Sequence, residues 1–138
     1  MAAGYSGTPL VRKIGVKAGH RVALLDAPEG WVIAGLPDDV RVSRRTPPRG
    51  VDIVVAFFRD LASLRKAIPA LSRKIVPDGA LWVAWPRRAG GHSSDITDNE
   101  VRGAILPLGL VDVKVAALDD DWSGLKTVWR KELRAGLT

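Results

Sequence analysis

The apolar positions of this 138-residue chain fall into alternating short runs, and each run predicts an element. Thr8-Pro9 reads as an N-cap followed by proline at the first helical position, with Gly15 as a stop, so a short helix is expected over about Pro9–Ile14. Arg21–Asp26 is a continuous apolar run with a polar end, the pattern of a strand buried on both faces. Trp31–Gly35 reads as one helical turn and Val40–Ser43 as a short strand. Val51–Phe58 is apolar and rich in β-branched residues, and predicts the strongest strand. Asp60 can cap a helix whose inner side carries Leu61, Leu64, Ile68, Leu71 and Ile75, kinked or restarted at Pro69. The turn Pro77-Asp78-Gly79 leads into a buried strand over Ala80–Trp85.

Thr97 and Glu100 then fit a capping box, opening a helix that runs to about Leu106 and is closed by Pro107 and Gly109. Leu110–Leu118 alternates Val111, Val113 and Val115 against Asp112 and Lys114, as a half-buried strand does. After a turn over Asp119–Gly124, Leu125–Lys131 returns as the second strand of a hairpin. Strand, helix, strand, helix, strand predicts an α/β fold with a mostly parallel sheet, helices on both faces and a C-terminal antiparallel hairpin. Arg21–Asp26, Val51–Phe58 and Ala80–Trp85 are expected as parallel neighbours. No linker or repeat divides the chain, so residues 1–138 are expected to form one domain.

Composition narrows the chemistry. There is no cysteine, which excludes disulfides, thiolate nucleophiles and cysteine-based zinc sites, and two histidines leave little for a histidine site. No run approaches the roughly 20 apolar residues of a membrane span, and the start lacks the basic and apolar regions of a signal peptide, so a cytoplasmic protein is expected. The net charge of +6 is uneven: residues 1–94 carry 15 Lys/Arg and 7 Asp/Glu, residues 95–138 carry 6 and 8. That asymmetry suits an anionic partner or self-association into a homo-oligomer, and speaks to encounter rather than to fold.

Two resemblances rest on particular residues. Val51-Asp52-Ile53-Val54-Val55, Ile75-Val76-Pro77-Asp78-Gly79-Ala80-Leu81 and Gly109-Leu110-Val111-Asp112-Val113 resemble the back half of the class I methyltransferases, which have a Rossmann-like fold. That likeness implies strand, helix, strand, helix and an antiparallel pair over roughly residues 50–131. The whole chain resembles a small bacterial family catalogued as domain of unknown function three-zero-five-two. Gly4–Leu10, Lys13–Val16, Ala27-Pro28-Glu29, Leu81–Pro86 and Trp122–Lys126 carry that likeness, which implies ancestry and no particular activity.

Cofactor chemistry is tested by the turn after the first strand, where glycines let the backbone approach a nucleotide closely. Here it reads Asp26-Ala27-Pro28-Glu29-Gly30, and the expected second strand leads into Ser43-Arg44-Arg45 rather than to an acid. The stretch from Asp26 to Val51 is also too short for two helices and two strands. No cofactor is therefore expected, and S-adenosylmethionine is disfavoured.

Ligands of parallel sheets sit beyond the carboxyl ends of the strands. Those ends supply Asp26, Pro28 and Glu29, then Arg59 and Asp60, then Trp85, Arg87 and Arg88, with Trp122 and Ser123 in the hairpin turn. Read as a site, they form one cleft with an indole on either side, suited to a flat or anionic small ligand. Read as structure, Asp60 caps a helix, Glu29 occupies a turn, the arginines are solvated and the tryptophans seal the core; for Asp60 and Trp122 this second reading is preferred. Arg44-Arg45, Arg49 and Arg87-Arg88 are weak grounds for nucleic acid, because aromatics for stacking are not interleaved with them. Asp119-Asp120-Asp121 lacks the spacing of a calcium loop. His92 with Ser93, Ser94 and Asp95 holds the residue types of a triad on one loop, too close together to align. The residues favour a non-enzymatic binding or interaction module on a degenerate methyltransferase-like scaffold. The alternatives are a small enzyme using S-adenosylmethionine or a nucleotide in an atypical pocket, and a basic nucleic-acid-associated protein.

Overall fold

The computed structural model describes residues 7–137. The signal-peptide expectation and the first residues of the Gly4–Leu10 likeness lie outside them. In chain order the elements are α1 (Leu10–Ile14), β1 (Arg21–Leu25), β2 (Arg41–Ser43), β3 (Ile53–Phe57), α2 (Leu61–Lys74), β4 (Ala80–Pro86), α3 (Asp98–Ile105), β5 (Leu110–Ala117) and β6 (Trp122–Trp129). The strands form one mixed sheet of six, in the order β2-β1-β3-β4-β6-β5. β1 runs parallel to β2 and β3, and β3 parallel to β4, as the apolar runs predict. β6 is antiparallel to both β4 and β5, so the returning strand is interior and β5 is the edge.

β3 is buried along its whole length because both faces of the sheet are covered. On one face Ala23, Val54, Ala56, Leu81, Val83 and Trp85 pack against Leu64, Ile68 and Leu71 of α2 and Val101 and Ile105 of α3. On the other, Val22, Leu24, Val55, Phe57 and Trp82 meet Ile14 of α1 and Ile33. The expectation of helices on both faces is thus corrected in part. Among the described residues, the second face is covered by the five residues of α1 and by the irregular segment 26–40. The helical turn expected at Trp31–Gly35 is absent; Trp31 and Ile33 reach the sheet from irregular backbone, so burial rather than a 3.6-residue period sets their spacing.

Local chemistry accounts for most boundaries. The amides of Arg12 and Lys13 both donate to the Pro9 carbonyl, so Pro9 is the cap of α1 and the helix starts one residue later than expected. Asp60 caps α2 by accepting from the Ser63 amide at 2.9 Å. α2 continues through Pro69 without restarting. Thr97 caps α3 through the Glu100 amide, but the Glu100 carboxylate pairs with Arg65 of α2 at 3.0 Å instead of completing the box.

Two strands depart from expectation. β5 carries a bulge at Asp112/Lys114 and exposes Val113 and Val115, because α3 covers only its beginning; it is far more exposed than a half-buried strand. β6 begins at Trp122, three residues earlier than the alternation suggests. The Asp119 carboxylate accepts the amides of Asp121 and Trp122, both at 2.8 Å, which tightens the turn and frees Trp122, Ser123 and Gly124 for pairing.

Candidate functional site

β1 connects towards one edge of the sheet and β3 towards the other, so the strand order reverses between them. In open α/β sheets the crevice beyond the carboxyl ends at such a point is where ligands bind. A cavity of about 320 Å³ lies there, lined by Asp26 from the end of β1, Phe57, Phe58 and Arg59 from the end of β3, and Asp60, Ser63 and Ala67 at the start of α2. Asp26 adopts φ of 57°, a left-handed conformation that a short polar side chain tolerates, and this turns the chain away from the sheet. Arg59 donates through Nη1 to the Asp26 carbonyl at 2.7 Å, and its guanidinium lies 5.0 Å from the ring centre of Trp122.

The start of α2 is already served by its own carboxylate. Asp60 accepts from the Ser63 amide and hydroxyl, and these bonds hold its carboxyl below the usual range, so it stays ionised. The Leu61 amide is taken as well, by the Asp95 carboxylate at 2.9 Å, so two of the first-turn donors that a phosphate would use are already engaged. The crevice therefore presents two exposed carboxylates and one guanidinium, a set that suits a ligand bearing cationic and hydroxyl groups.

Beside it the aromatic residues close the second face. Trp31 and Phe57 meet edge to face with centroids 4.8 Å apart, Phe57 and Trp122 at 5.0 Å, and the Trp31 indole donates to Asp119 at 2.9 Å.

The candidate residues fall into separate groups. Trp85 pairs with Ser123 across β4 and β6, while Pro86 pairs with Trp122. Paired residues share a face, so the two indoles lie on opposite faces of the sheet and do not form the walls of one cleft. Trp85, Ser123, Arg87 and Arg88 come together with Thr97 and Asp98 around a second cavity of about 360 Å³. Asp26 belongs to the switch-point crevice. Pro28 and Glu29 form a tight turn closed by the Trp31 amide on the Pro28 carbonyl, with Glu29 exposed. Arg87, which the sequence leaves between a ligand contact and a solvated residue, is buried, 8% exposed. Its amide donates to the Asp121 carbonyl at 2.8 Å and its Nη1 to the Asp120 carbonyl at 3.2 Å, so it holds the β5–β6 turn in place.

The arginines grouped as a phosphate patch are dispersed: Arg44 donates to the Trp31 carbonyl, and Arg49 to the Leu137 carbonyl. His92 contacts Asp121 at 2.9 Å, away from Ser93 and Ser94 in role, and His20 accepts the Lys17 amide through Nδ1. Among the described residues no cluster of His, Asp or Glu fits a metal ion, and no helix is long and apolar enough to cross a membrane. Arg59 and Asp60 were legible as strand-end residues; Phe57 and Trp31 were not, since neither residue type nor spacing marks them as rim residues.

One electrostatic feature carried no signal in the sequence. Lys13, only 6% exposed, donates to the Ala117 carbonyl at 2.5 Å; burial lowers its pKa, with Lys114 and Arg87 adding to the effect. Lys126 is lowered by burial and then by Lys114 and Lys17. A lysine depressed in the folded state binds its proton less readily than in the unfolded chain, so its destabilising contribution disappears as pH rises towards 10.5. Lys126→Met is accordingly expected to stabilise the protein by about 0.5 kcal/mol at neutral pH, a modest figure because the head group is partly solvated. Urea midpoints should show the gain shrinking at high salt and at pH 10.5; a loss of stability at neutral pH would show that Lys126 is held favourably.

The α/β fold with its six-stranded mixed sheet is similar to that of solved S-adenosylmethionine-dependent methyltransferases. The chain is similar to an S-adenosylmethionine-dependent methyltransferase from Aquifex aeolicus, with 13% identity, a TM-score of 0.57, and coverage of 90% of this chain and 89% of that one. It is also similar to the ribosomal protein L11 methylase from Lactobacillus delbrueckii subsp. bulgaricus, with 12% identity, a TM-score of 0.53, and coverage of 88% and 75%. At such identities the likeness is one of fold. No protein-family model and no curated protein sequence matches the chain.

Proposed function

We propose that this protein is a small enzyme of methyltransferase-like fold that takes S-adenosylmethionine in an atypical crevice at the switch point. The observation that carries this is the pair of carboxylates, Asp26 and Asp60, at the one place where the strand order reverses. S-adenosylmethionine is cationic at its sulfonium and ammonium groups and bears ribose hydroxyls, all of which suit carboxylate acceptors. When bound, it supplies an electrophilic methyl carbon. Asp26 and Asp60 would accept hydrogen bonds from its hydroxyl or ammonium groups, and Arg59, braced on Trp122, would offer a partner for its carboxylate. The positive φ of Asp26 and of Gly30 supplies the turn that glycines usually make there, though Pro28 offers no amide. The capped start of α2 argues against a nucleotide phosphate in the same place. Descent from the family of domain of unknown function three-zero-five-two is a further part of this reading, resting on the residues that resemble it.

A second reading, a binding module without catalysis, is favoured by the segment 26–40, which forms no helix and packs Trp31 on Phe57 beside the crevice. Calorimetry with S-adenosylmethionine and S-adenosylhomocysteine separates the two. Micromolar affinity is expected for the wild type, weakened about tenfold in Asp26→Asn, the usual cost of one charge-assisted hydrogen bond. Absence of binding at millimolar ligand would leave the non-catalytic module. Asp26 is exposed, so the variant should keep its circular dichroism and melting temperature.

A further inference from the structure

We propose that a third pocket, over the amino-terminal half of β1 and along β2, binds a small amphiphilic anion: an apolar body of one or two rings with a phosphate, sulfonate or carboxylate at one end. The pocket, about 320 Å³, lies against the sheet at the opposite end of β1 from Asp26. The register Arg21↔Arg41 and Ala23↔Ser43 puts these side chains on one face, with the small Ala23 leaving room between the arginines and the core. Ala23, Val51 and Pro47 are buried and supply an apolar floor, and Arg21, Arg41 and Arg45 stand around it.

Three features distinguish this from a solvated basic surface. No carboxylate lines the pocket. Asp52, the nearest acid in sequence to that floor, accepts the Arg21 amide on Oδ2 at 2.8 Å. Among the described residues, the side chains of Arg41 and Arg45 have neither an ion pair nor a hydrogen bond, and Arg21 has only the Gly50 carbonyl at 3.2 Å. Guanidinium groups of one sign gathered around a common cavity repel each other, and an anion between them relieves that repulsion while filling planar donor forks. A naked inorganic anion would leave the apolar floor wet, and a neutral ring would leave the guanidinium groups unanswered. The combination selects a molecule with both parts.

The site is independent of the switch-point crevice, so its test does not depend on S-adenosylmethionine. The probe is 1-naphthyl phosphate, titrated at low salt by calorimetry and by amide chemical-shift mapping, with inorganic phosphate and 1-naphthalenemethanol as the two half-probes. Naphthyl phosphate is expected to bind at least tenfold more tightly than either half-probe, with shifts centred on Ala23, Ser43 and Thr46. Arg41→Gln with Arg45→Gln should weaken it tenfold or more, the combined loss of charge-assisted contacts. Both side chains are exposed, and an unchanged melting temperature would show the double variant folded. Absence of binding by the wild type, affinity equal to either half-probe, shifts centred on Asp26 and Arg59, or a folded double variant that binds as well as the wild type would each overturn the proposal.

Discussion

Trp82→Ala is expected to destabilise the protein by about 3–5 kcal/mol, the range for truncating a large buried aromatic, which is a large share of the 5–15 kcal/mol that holds most domains folded. Trp82 is fully buried, at the centre of the sheet between β3 and β6, and its indole donates to the Ile14 carbonyl at 3.0 Å. It therefore ties α1, among the described residues the α-helix packed on that face, to the sheet. The truncated variant leaves both a cavity and an unanswered carbonyl at the end of α1. Trp82→Phe keeps most of the packing and loses the bond, and should cost about 1–3 kcal/mol. Urea denaturation of the two variants measures both quantities. A cost below about 1 kcal/mol for the alanine variant would mean that α1 is not anchored through this residue.

Gly79→Ala should cost about 3 kcal/mol, at the upper end of what overpacking does to a core. A methyl group on Gly79 would stand 2.5 Å from the Val51 carbonyl oxygen, 2.9 Å from that of Ile75 and 3.0 Å from that of Asp52. None of these can move without breaking the joint between β3, the end of α2 and β4, because the Gly79 amide donates to Ile75 and the Ala80 amide to Asp52. Gly30→Ala is the matched control. Its φ of 76° strains an alanine, yet nothing lies within 4 Å, so about 1 kcal/mol is expected from backbone conformation alone. If the two variants melt together, the crowding at Gly79 is not what makes glycine necessary there.

Much of the frame was legible residue by residue. A strand buried on both faces must be apolar at successive positions, and Ile53–Phe57 and Ala80–Trp85 are. Asp60 and Thr97 announced helix starts because a short polar side chain answers amides that the helix cannot. The parallel core β1-β3-β4 followed from those runs and the helix between the last two. Of the rim, Asp26, Arg59 and Asp60 could be placed at strand ends by the same logic.

What the sequence determined by itself is therefore whatever depends on neighbours along the chain: periodicity, capping, and which strands are buried. The tertiary structure alone decided which face each side chain meets and what lies across from it. Trp85 and Trp122 follow similar patterns, yet the pairing of Trp85 with Ser123 puts them on opposite sides of the sheet, since one residue of register exchanges the faces. Arg87 stood evenly between a ligand contact and a solvated residue until the Asp119–Asp121 turn, more than thirty residues away in the chain, closed over it and supplied carbonyl acceptors. Trp31 looked helical until Phe57 and Asp119 gave an irregular segment both packing and a hydrogen-bond partner. These choices turn on contacts between residues distant in the chain, whose energies no local pattern of apolar and polar positions records.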